Sequence, residues 1–156
     1  PRKNFFMGKW IKYSGWYPNY RQPQLFRTGK MSYDLSPVHE GYISHSDNKI
    51  GIIKNSIWQF PFKNTEEIIQ KANSYSTLGA VKLSDKGKTG SILKAFLHGS
   101  WSFIKHYFLK LGFLDGGAGF VIAFGNFEGT FYRYLKLTES QSSWKILKVK
   151  PIRKIK

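Results

Sequence analysis

The most regular hydrophobic pattern of the chain lies between Ser91 and Leu137 and predicts two amphipathic helices. Apolar residues recur there every three or four positions, as they do along one face of a helix. The first stripe consists of Leu93, Phe96, Leu97, Trp101, Ile104, Phe108 and Leu111. The second consists of Phe120, Phe124, Phe127, Phe131 and Leu135, with Glu128, Arg133 and Lys136 predicted to face away from it. The turn Gly112–Gly119 joins the helices, and we expect the carboxylate of Asp115 to cap the second one.

Two interpretations of these stripes stay open. The simpler one is that both pack on the rest of the domain, as apolar helix faces usually do. The polar side of the first helix, however, is purely basic, since no acidic residue occurs between Asp85 and Asp115. An aromatic helix of this kind suits an anionic membrane surface. Both interpretations hold if the pair packs inward and its rim touches lipid.

The residues before the pair predict a third helix and, upstream of it, short strands. Asn64 is a good N-cap, and Glu67 completes a capping box. The buried face of this helix is predicted to be Ile68, Ala72, Tyr75 and Leu78. Strands are predicted at Gln24–Arg27, Val38–Ile43 and Lys49–Phe60, with a turn at Thr28–Lys30, a loop at Met31–Pro37, and a polar linker at Thr138–Ser143. Strands followed by three helices indicate an α+β fold.

The amino-acid composition limits the kinds of partner that the protein can bind. The 156 residues suit one compact domain and carry 25 Lys and Arg against 9 Asp and Glu, a formal net charge of +16. This charge implies anionic partners, such as nucleic acid, phospholipid head groups or a phosphorylated substrate. The absence of cysteine excludes disulfides and thiolate metal sites. The apolar runs are interrupted too often to span a bilayer. Because the sequence opens with Pro1 instead of Met, we expect it to be a piece of a longer protein.

Simple nucleotide-binding and metal motifs are not supported. Lys82 stands where a P-loop ending in Gly87-Lys88-Thr89 needs a glycine, and Ile122 stands where a dinucleotide fingerprint needs its third glycine. The four histidines lack paired metal-ligand spacing. The basic and aromatic N-terminal stretch could bind single-stranded nucleic acid, stack on sugars, or simply bury its rings. A basic nucleic-acid-binding module is therefore the alternative function.

The order of the longer motifs resembles one enzyme family. WIKYSGWYPNYRQPQLFRTGK is followed by VHE, by YSTLGA with KGK, and by FLKLGFLDGGAGFVIAF. This series resembles bacterial family-two glycosyltransferases that build lipopolysaccharide cores. The resemblance implies that residues 1–137 are the acceptor-side, C-terminal half of an A-type glycosyltransferase fold, and that residues 138–156 are a basic tail. It also implies that the nucleotide-sugar-binding half, with its Asp-x-Asp element, precedes this chain, since the sequence contains no Asp-x-Asp.

The resemblance further implies a set of site residues. In an inverting transfer, a carboxylate takes the proton of the attacking acceptor hydroxyl, and Glu40 of the VHE motif matches that general base. Arg27 and Gln24 match the strand that approaches the diphosphate and the acceptor, since the guanidinium fork of arginine suits phosphate. The substrate-binding set is completed by His39, Trp16, Tyr17 and Tyr20.

The resemblance leaves metal use open and implies a location at the membrane. A divalent metal, Mg or Mn, is expected to act in the full-length enzyme, with ligands mostly outside this chain. Gln59 stands where relatives carry a histidine, and glutamine is a poor metal ligand. The expected partners are a nucleotide-sugar donor, a lipid-linked or lipopolysaccharide-core acceptor, and an anionic membrane, with no nucleic acid. The protein is expected at the cytoplasmic face of the inner membrane, where the basic tail after Trp144 would act as a charged anchor.

Overall fold

The structure, a computed structural model, describes residues 2–16, 25–33, 41–45, 51 and 53–142. It divides into two compact units. The first comprises Pro1–Lys12 and Trp16–Pro61, and the second comprises Tyr13–Gly15 and Phe62–Lys156. Strands lie in the first unit and helices in the second, so the predicted α+β class with three helices after short strands is confirmed.

Five short strands form two small sheets in the first unit. They are β1 (Arg2–Phe6), β2 (Lys9–Ile11), β3 (Met31–Tyr33), β4 (Tyr42–Ser44) and β5 (Ile57–Gln59). The first sheet has the order β2-β1-β5, with β1 antiparallel to β2 and parallel to β5. Its hairpin turns at Met7 and Gly8, whose φ angles of 49° and 73° are left-handed, as a tight hairpin requires. The second sheet pairs β3 with β4 in antiparallel register.

Several strand predictions need correction. The segment Met31–Tyr33 is a strand and not a loop, whereas residues 25–27 are not in a strand. Of the predicted strand Lys49–Phe60, the described residues place only Ile57–Gln59 in a strand. The turn at Thr28–Lys30 is confirmed by a hydrogen bond of 3.0 Å from Lys30 N to Arg27 O.

The first helix of the second unit is α1 (Thr65–Asp85), and its predicted start is confirmed. Asn64 Oδ1 accepts from Glu67 N at 3.0 Å, and Glu67 Oε2 accepts from Lys63 N at 2.8 Å. The predicted buried face is wrong at two of its four positions, since Ile68 and Ala72 are half-buried. Tyr75 and Leu78 are 53% and 45% exposed, whereas Ser76 and Ala80 are buried.

The predicted helix pair is present as α2 (Ile92–Ile104) and α3 (Gly117–Gln141). A π-helical turn, Lys105–Leu109, and a 3₁₀ helix, Gly112–Asp115, connect them. α3 continues through most of the predicted polar linker to Gln141. Arg133 and Lys136 lie away from the phenylalanine stripe, and both are half-buried where they contact α1. Lys136 Nζ donates to Asn73 Oδ1 at 2.6 Å and to Thr77 Oγ1 at 2.7 Å.

The helices of the second unit pack through small residues. Ala95 and Gly99 of α2 and Ala118, Gly119 and Ala123 of α3 are buried. A Cβ added at Gly99 would lie 3.1 Å from the Phe127 ring, so the two helices approach closely there. The predicted apolar stripe of α2 is largely exposed instead. Its expected packing in the core is therefore wrong for this face.

Candidate functional site

Most of the predicted site residues lie outside the described residues. These are Tyr17, Tyr20, Gln24, His39 and Glu40. The position of Glu40 as general base therefore stays a prediction, as does the diphosphate-binding role of Gln24. The basic tail from Trp144 onward also lies outside the described residues.

Trp16 is described and is half-buried. Its ring centroid lies 5.8 Å from that of Phe6, a buried residue of β1. Part of the Trp16 ring is therefore buried against the sheet, which is one of the alternatives that the sequence left open. The exposed part of the ring could contact an acceptor. The assignment of Trp16 to substrate binding stays a prediction.

Arg27 lies on an exposed turn that is tied to the sheet of β3 and β4. Its carbonyl oxygen accepts from Lys30 N, and Lys30 O accepts from His45 N at 2.9 Å. The ring of His45 in turn makes a hydrogen bond of 2.9 Å between Nε2 and Ser32 Oγ. Backbone contacts thus bring together two cations and an imidazole, all exposed. Exposed guanidinium and ammonium groups suit phosphate oxygens.

The resemblance implied a diphosphate-binding role for Arg27, but it gave no role to Lys30 or His45. Lys30 follows Arg27 by three residues across the turn, and this spacing was the available signal. His45 could not be found in this way, because its place beside Lys30 depends on the pairing of β3 with β4.

A second arrangement in the helical unit joins two of the motifs. Asp115 of GFLDG is 7% exposed, and its Oδ2 accepts from Ser14 Oγ at 2.8 Å and from Tyr13 N at 3.0 Å. Ser14 N donates to Lys110 O at 2.9 Å. The expectation that Asp115 caps the second helix is therefore wrong, since Gly116 is the N-cap of α3. We call Tyr13–Gly15 with Lys110–Gly119 the Asp115 corner.

The backbone of the Asp115 corner explains its glycines. Ser14 and Leu111 have left-handed φ angles of 61° and 54°. A Cβ at Gly119 would collide with Gly112 O, and a Cβ at Gly112 would lie 2.6 Å from His106 O. Only glycine fits at either position, because each added carbon would meet fixed backbone. Gly112 and Gly119 of the GFLDGGAG sequence are thus required by a close backbone approach.

The Asp115 corner is suited to positioning. Oδ2 of its carboxylate accepts from Tyr13 N and Ser14 Oγ, which lie shortly before Trp16 in the sequence. Within the part of the chain that the structure describes, no three His, Asp or Glu side chains form a group that could hold a metal ion. The divalent metal that the resemblance implies, with ligands mostly outside this chain, therefore stays a prediction. Nor is any described helix long and apolar enough to cross a membrane.

Comparison with known proteins bears on the function. The chain is 30% identical over 112 residues to an uncharacterized glycosyltransferase of Rickettsia conorii, a match that covers 69% of the chain and 39% of that protein. Counterparts from Rickettsia felis and Rickettsia bellii are 28% and 29% identical over 109 and 108 residues. The chain is a distant relative of glycosyltransferases. Neither a protein-family model nor a solved structure matches it.

The extent of the match limits what these relatives imply. It covers 67% of the chain in both further cases, but only 38% of the Rickettsia felis protein and 37% of that from Rickettsia bellii. The chain thus spans less than two-fifths of the length of these relatives. The general glycosyltransferase relationship expected from the motifs is confirmed.

Proposed function

We propose that this chain is the acceptor-side half of an inverting, family-two glycosyltransferase with an A-type fold. The enzyme transfers a hexose or heptose from a nucleotide sugar to a lipopolysaccharide-core or lipid-linked glycan, as a peripheral protein at the cytoplasmic face of the inner membrane. The observation that carries this proposal is the homology to glycosyltransferases of which the chain spans less than two-fifths. The remaining length leaves room for a nucleotide-binding half.

The residues of the chain have distinct roles in this proposal. The Glu40 carboxylate takes the proton of the acceptor hydroxyl as its oxygen bonds to the anomeric carbon, and the bond to the nucleoside diphosphate breaks. Arg27 and Gln24 stabilise the negative charge that develops on the departing diphosphate. The exposed Arg27 turn supports this assignment, because Lys30 lies on the same turn and adds a second cation. His39, Trp16, Tyr17 and Tyr20 bind the acceptor.

The Asp115 corner holds the chain shortly before two residues of the acceptor-binding set. It fixes Tyr13 and Ser14, which are separated from Trp16 and Tyr17 in the sequence only by Gly15. A divalent metal in the full-length enzyme would supply positive charge to the leaving diphosphate. Its ligands would lie mostly outside this chain.

The general base is tested by Glu40→Gln in the full-length enzyme, made from the coding region that includes the upstream half. Removing the base should lower sugar transfer by about two to four orders of magnitude. Donor binding, measured by calorimetry with the nucleotide sugar, should be retained. Glu139→Gln is the matched control, because Glu139 is an exposed glutamate near the end of α3, and it should leave both measurements unchanged. Near-normal turnover by Glu40→Gln would remove Glu40 from the mechanism.

The division of labour between the two halves has its own test. Purified residues 1–156 should neither hydrolyse nor transfer any nucleotide sugar, because the sequence contains no Asp-x-Asp pair. Product analysis by mass spectrometry with a panel of donors measures this. Turnover by the isolated chain would place the donor site within it and contradict the proposal.

A further inference from the structure

The packing of α2 is reversed relative to that of an ordinary amphipathic helix. Its buried positions are the small residues Ala95 and Gly99, and Ala95 has no exposed surface. Leu93 is 67% exposed, and Leu97 and Trp101 are each 57% exposed. In water a helix normally turns its large apolar side chains inward. Small residues at the helix contact with large apolar residues outside are typical of helices in contact with lipid.

The exposed side chains form one continuous face. Leu93, Leu97 and Trp101 follow one another at intervals of four residues, and Ile104 and Phe108 extend the line into the π-helical turn. Beyond it, Tyr107 makes edge-to-face ring contacts that continue the face onto α3. Its ring centroid lies 5.1 Å from Phe108, 6.3 Å from Phe113 and 5.9 Å from Phe120. We call this set, from Leu93 to Phe120, the α2 face.

The charge beside the α2 face has one sign. Residues 86–114 contain five lysines and no acid, the lysines being Lys86, Lys88, Lys94, Lys105 and Lys110. Lys94 precedes Trp101 by seven residues and Lys105 follows it by four, so both lie close to the line of Trp101 along the helix. Both are exposed. This arrangement complements a negatively charged surface.

We propose that the α2 face docks on an anionic phospholipid bilayer. The apolar side chains enter the boundary between head groups and acyl chains, and the flanking lysines contact the phosphates. Trp101, in the last turn of α2, is suited to the head-group level. The inference deepens the proposed function, whose membrane location it rests on, by naming the surface that makes the contact.

The charge favours lipid over a second copy of the chain as the occupant. Two α2 faces in contact would bring two sets of lysines together around an apolar centre, without acids to neutralise them. An anionic bilayer neutralises the same lysines while it covers the apolar side chains. A bilayer therefore satisfies both features of the face.

The test uses the absence of native cysteine, which allows a single environment-sensitive fluorophore to be attached to the whole chain. Leu97→Cys places it on the α2 face. Ile69→Cys is the matched control, because Ile69 is a similarly exposed aliphatic residue, 60% against 57%, on α1. With mixed phosphatidylglycerol and phosphatidylcholine vesicles at low salt, the label at position 97 should shift to the blue and the label at position 69 should not. Pure phosphatidylcholine should give a much smaller shift.

Two variants measure the contributions without a label. Trp101→Ala should weaken sedimentation with the anionic vesicles by roughly tenfold or more, since it removes the largest side chain of the face. Trp58→Ala is its control, because Trp58 is an exposed tryptophan of β5, outside the face. The double variant Lys94→Gln with Lys105→Gln should bind anionic vesicles more weakly. Its binding should also depend less on salt concentration, because two cations have been removed. Circular dichroism verifies that each variant retains its helices.

Three outcomes would overturn the proposal. Vesicle binding with no shift at position 97 would assign the contact to another part of the chain, such as the basic tail. A shift that needs no vesicles and grows with protein concentration would assign the face to a second copy. Equal shifts at positions 69 and 97 would show that the contact is not confined to this face. None of these results affects the Glu40 test, and loss of transfer in Glu40→Gln leaves vesicle binding unchanged, so the two proposals fail separately.

Discussion

Helices α1 and α2 pack against the same partner but present different outer surfaces. α1 makes its contact with α3 through Ser76 and Ala80, and α2 does so through Ala95 and Gly99. Outside these contacts α1 carries five charged residues, which are Glu66, Glu67, Lys71, Lys82 and Asp85. α2 carries one lysine and no acid. Exposed apolar residues such as Ile69 are therefore scattered among charges on α1, whereas on α2 they form a continuous face.

In the second unit, different residues of a helix determine how closely it packs and what its outer surface is suited to. α1 and α2 each have two buried small residues four positions apart, namely Ser76 and Ala80 on α1 and Ala95 and Gly99 on α2. Such pairs let helix backbones approach one another. The remaining positions are then free to suit the surroundings, which is water for α1 and, as we propose, lipid for α2.

The largest predicted effect comes from disturbing α3 at its first turn. Gly119→Ala should destabilise the chain by about 3 kcal/mol or more, because the added carbon collides with backbone at Gly112 O and cannot be accommodated by a side-chain movement. Urea unfolding followed by circular dichroism measures this change. The packing on which both α1 and α2 depend would loosen with it.

Gly129→Ala, also in α3, is the matched control. An added Cβ there would have no described atom within 4 Å, and alanine is the better helix former, so the variant should be stabilised by about 0.5–1 kcal/mol. If Gly119→Ala changed stability no more than Gly129→Ala does, Gly119 could not lie as close to Gly112 O as the structure places it.

The next effect concerns the corner that joins α3 to the N-terminal motif. Asp115→Ala leaves Tyr13 N–H and the Ser14 hydroxyl without the acceptor that they share. It should cost about 2–4 kcal/mol of unfolding free energy, because buried donors are then unpaired. The control is Asp85→Ala at the exposed end of α1, which should change stability far less. Equal effects would mean that the corner is not held by this carboxylate.

The start of α1 tests the water-facing side of the comparison. Asn64→Ala removes the N-cap acceptor of Glu67 N and should cost about 1 kcal/mol. Ser91, the N-cap of α2, accepts from Lys94 N at 3.1 Å, so Ser91→Ala should cost a similar amount. Thermal unfolding of the two variants compares the helices directly. A much larger loss at one cap would show that the helices do not depend on local capping to the same extent.

The parts of the fold that can be predicted from the sequence are those determined by residues close to one another along the chain. The positions of all three helices follow from spacing and from caps such as Asn64, which act over a few residues. The partner of Asp115 could not be predicted in this way, because Ser14 is 101 positions away. The strands of three residues are too short to show an alternating pattern, which is why Met31–Tyr33 was missed.

The buried face of each helix could not be deduced from hydrophobicity. Hydrophobicity alone left two interpretations open for Leu97 and Trp101, packing in the core and contact with a membrane. Two pairs of small residues, Ala95 with Gly99 and Ser76 with Ala80, were the sequence signal for the helix contacts. They do not stand out in a sequence that is so rich in aromatic residues. Of the candidate site, the resemblance indicated Arg27, at the end of a predicted strand, whereas the position of the neighbouring His45 depends on strand pairing.

The smallest predicted effect separates a lipid-facing surface from a packed one. Leu97→Gln in the free chain should change the unfolding free energy by no more than about 0.5 kcal/mol, since the side chain is already mostly exposed. Ile69→Gln on α1 should behave alike. If Leu97 were instead covered within the folded chain, burying the amide would cost about 2 kcal/mol or more. Parallel urea unfolding of the two variants without vesicles distinguishes these cases. A selective loss at Leu97 would mean that the outer surfaces of α1 and α2 differ because α2 is part of a core, and the comparison would then no longer point to lipid.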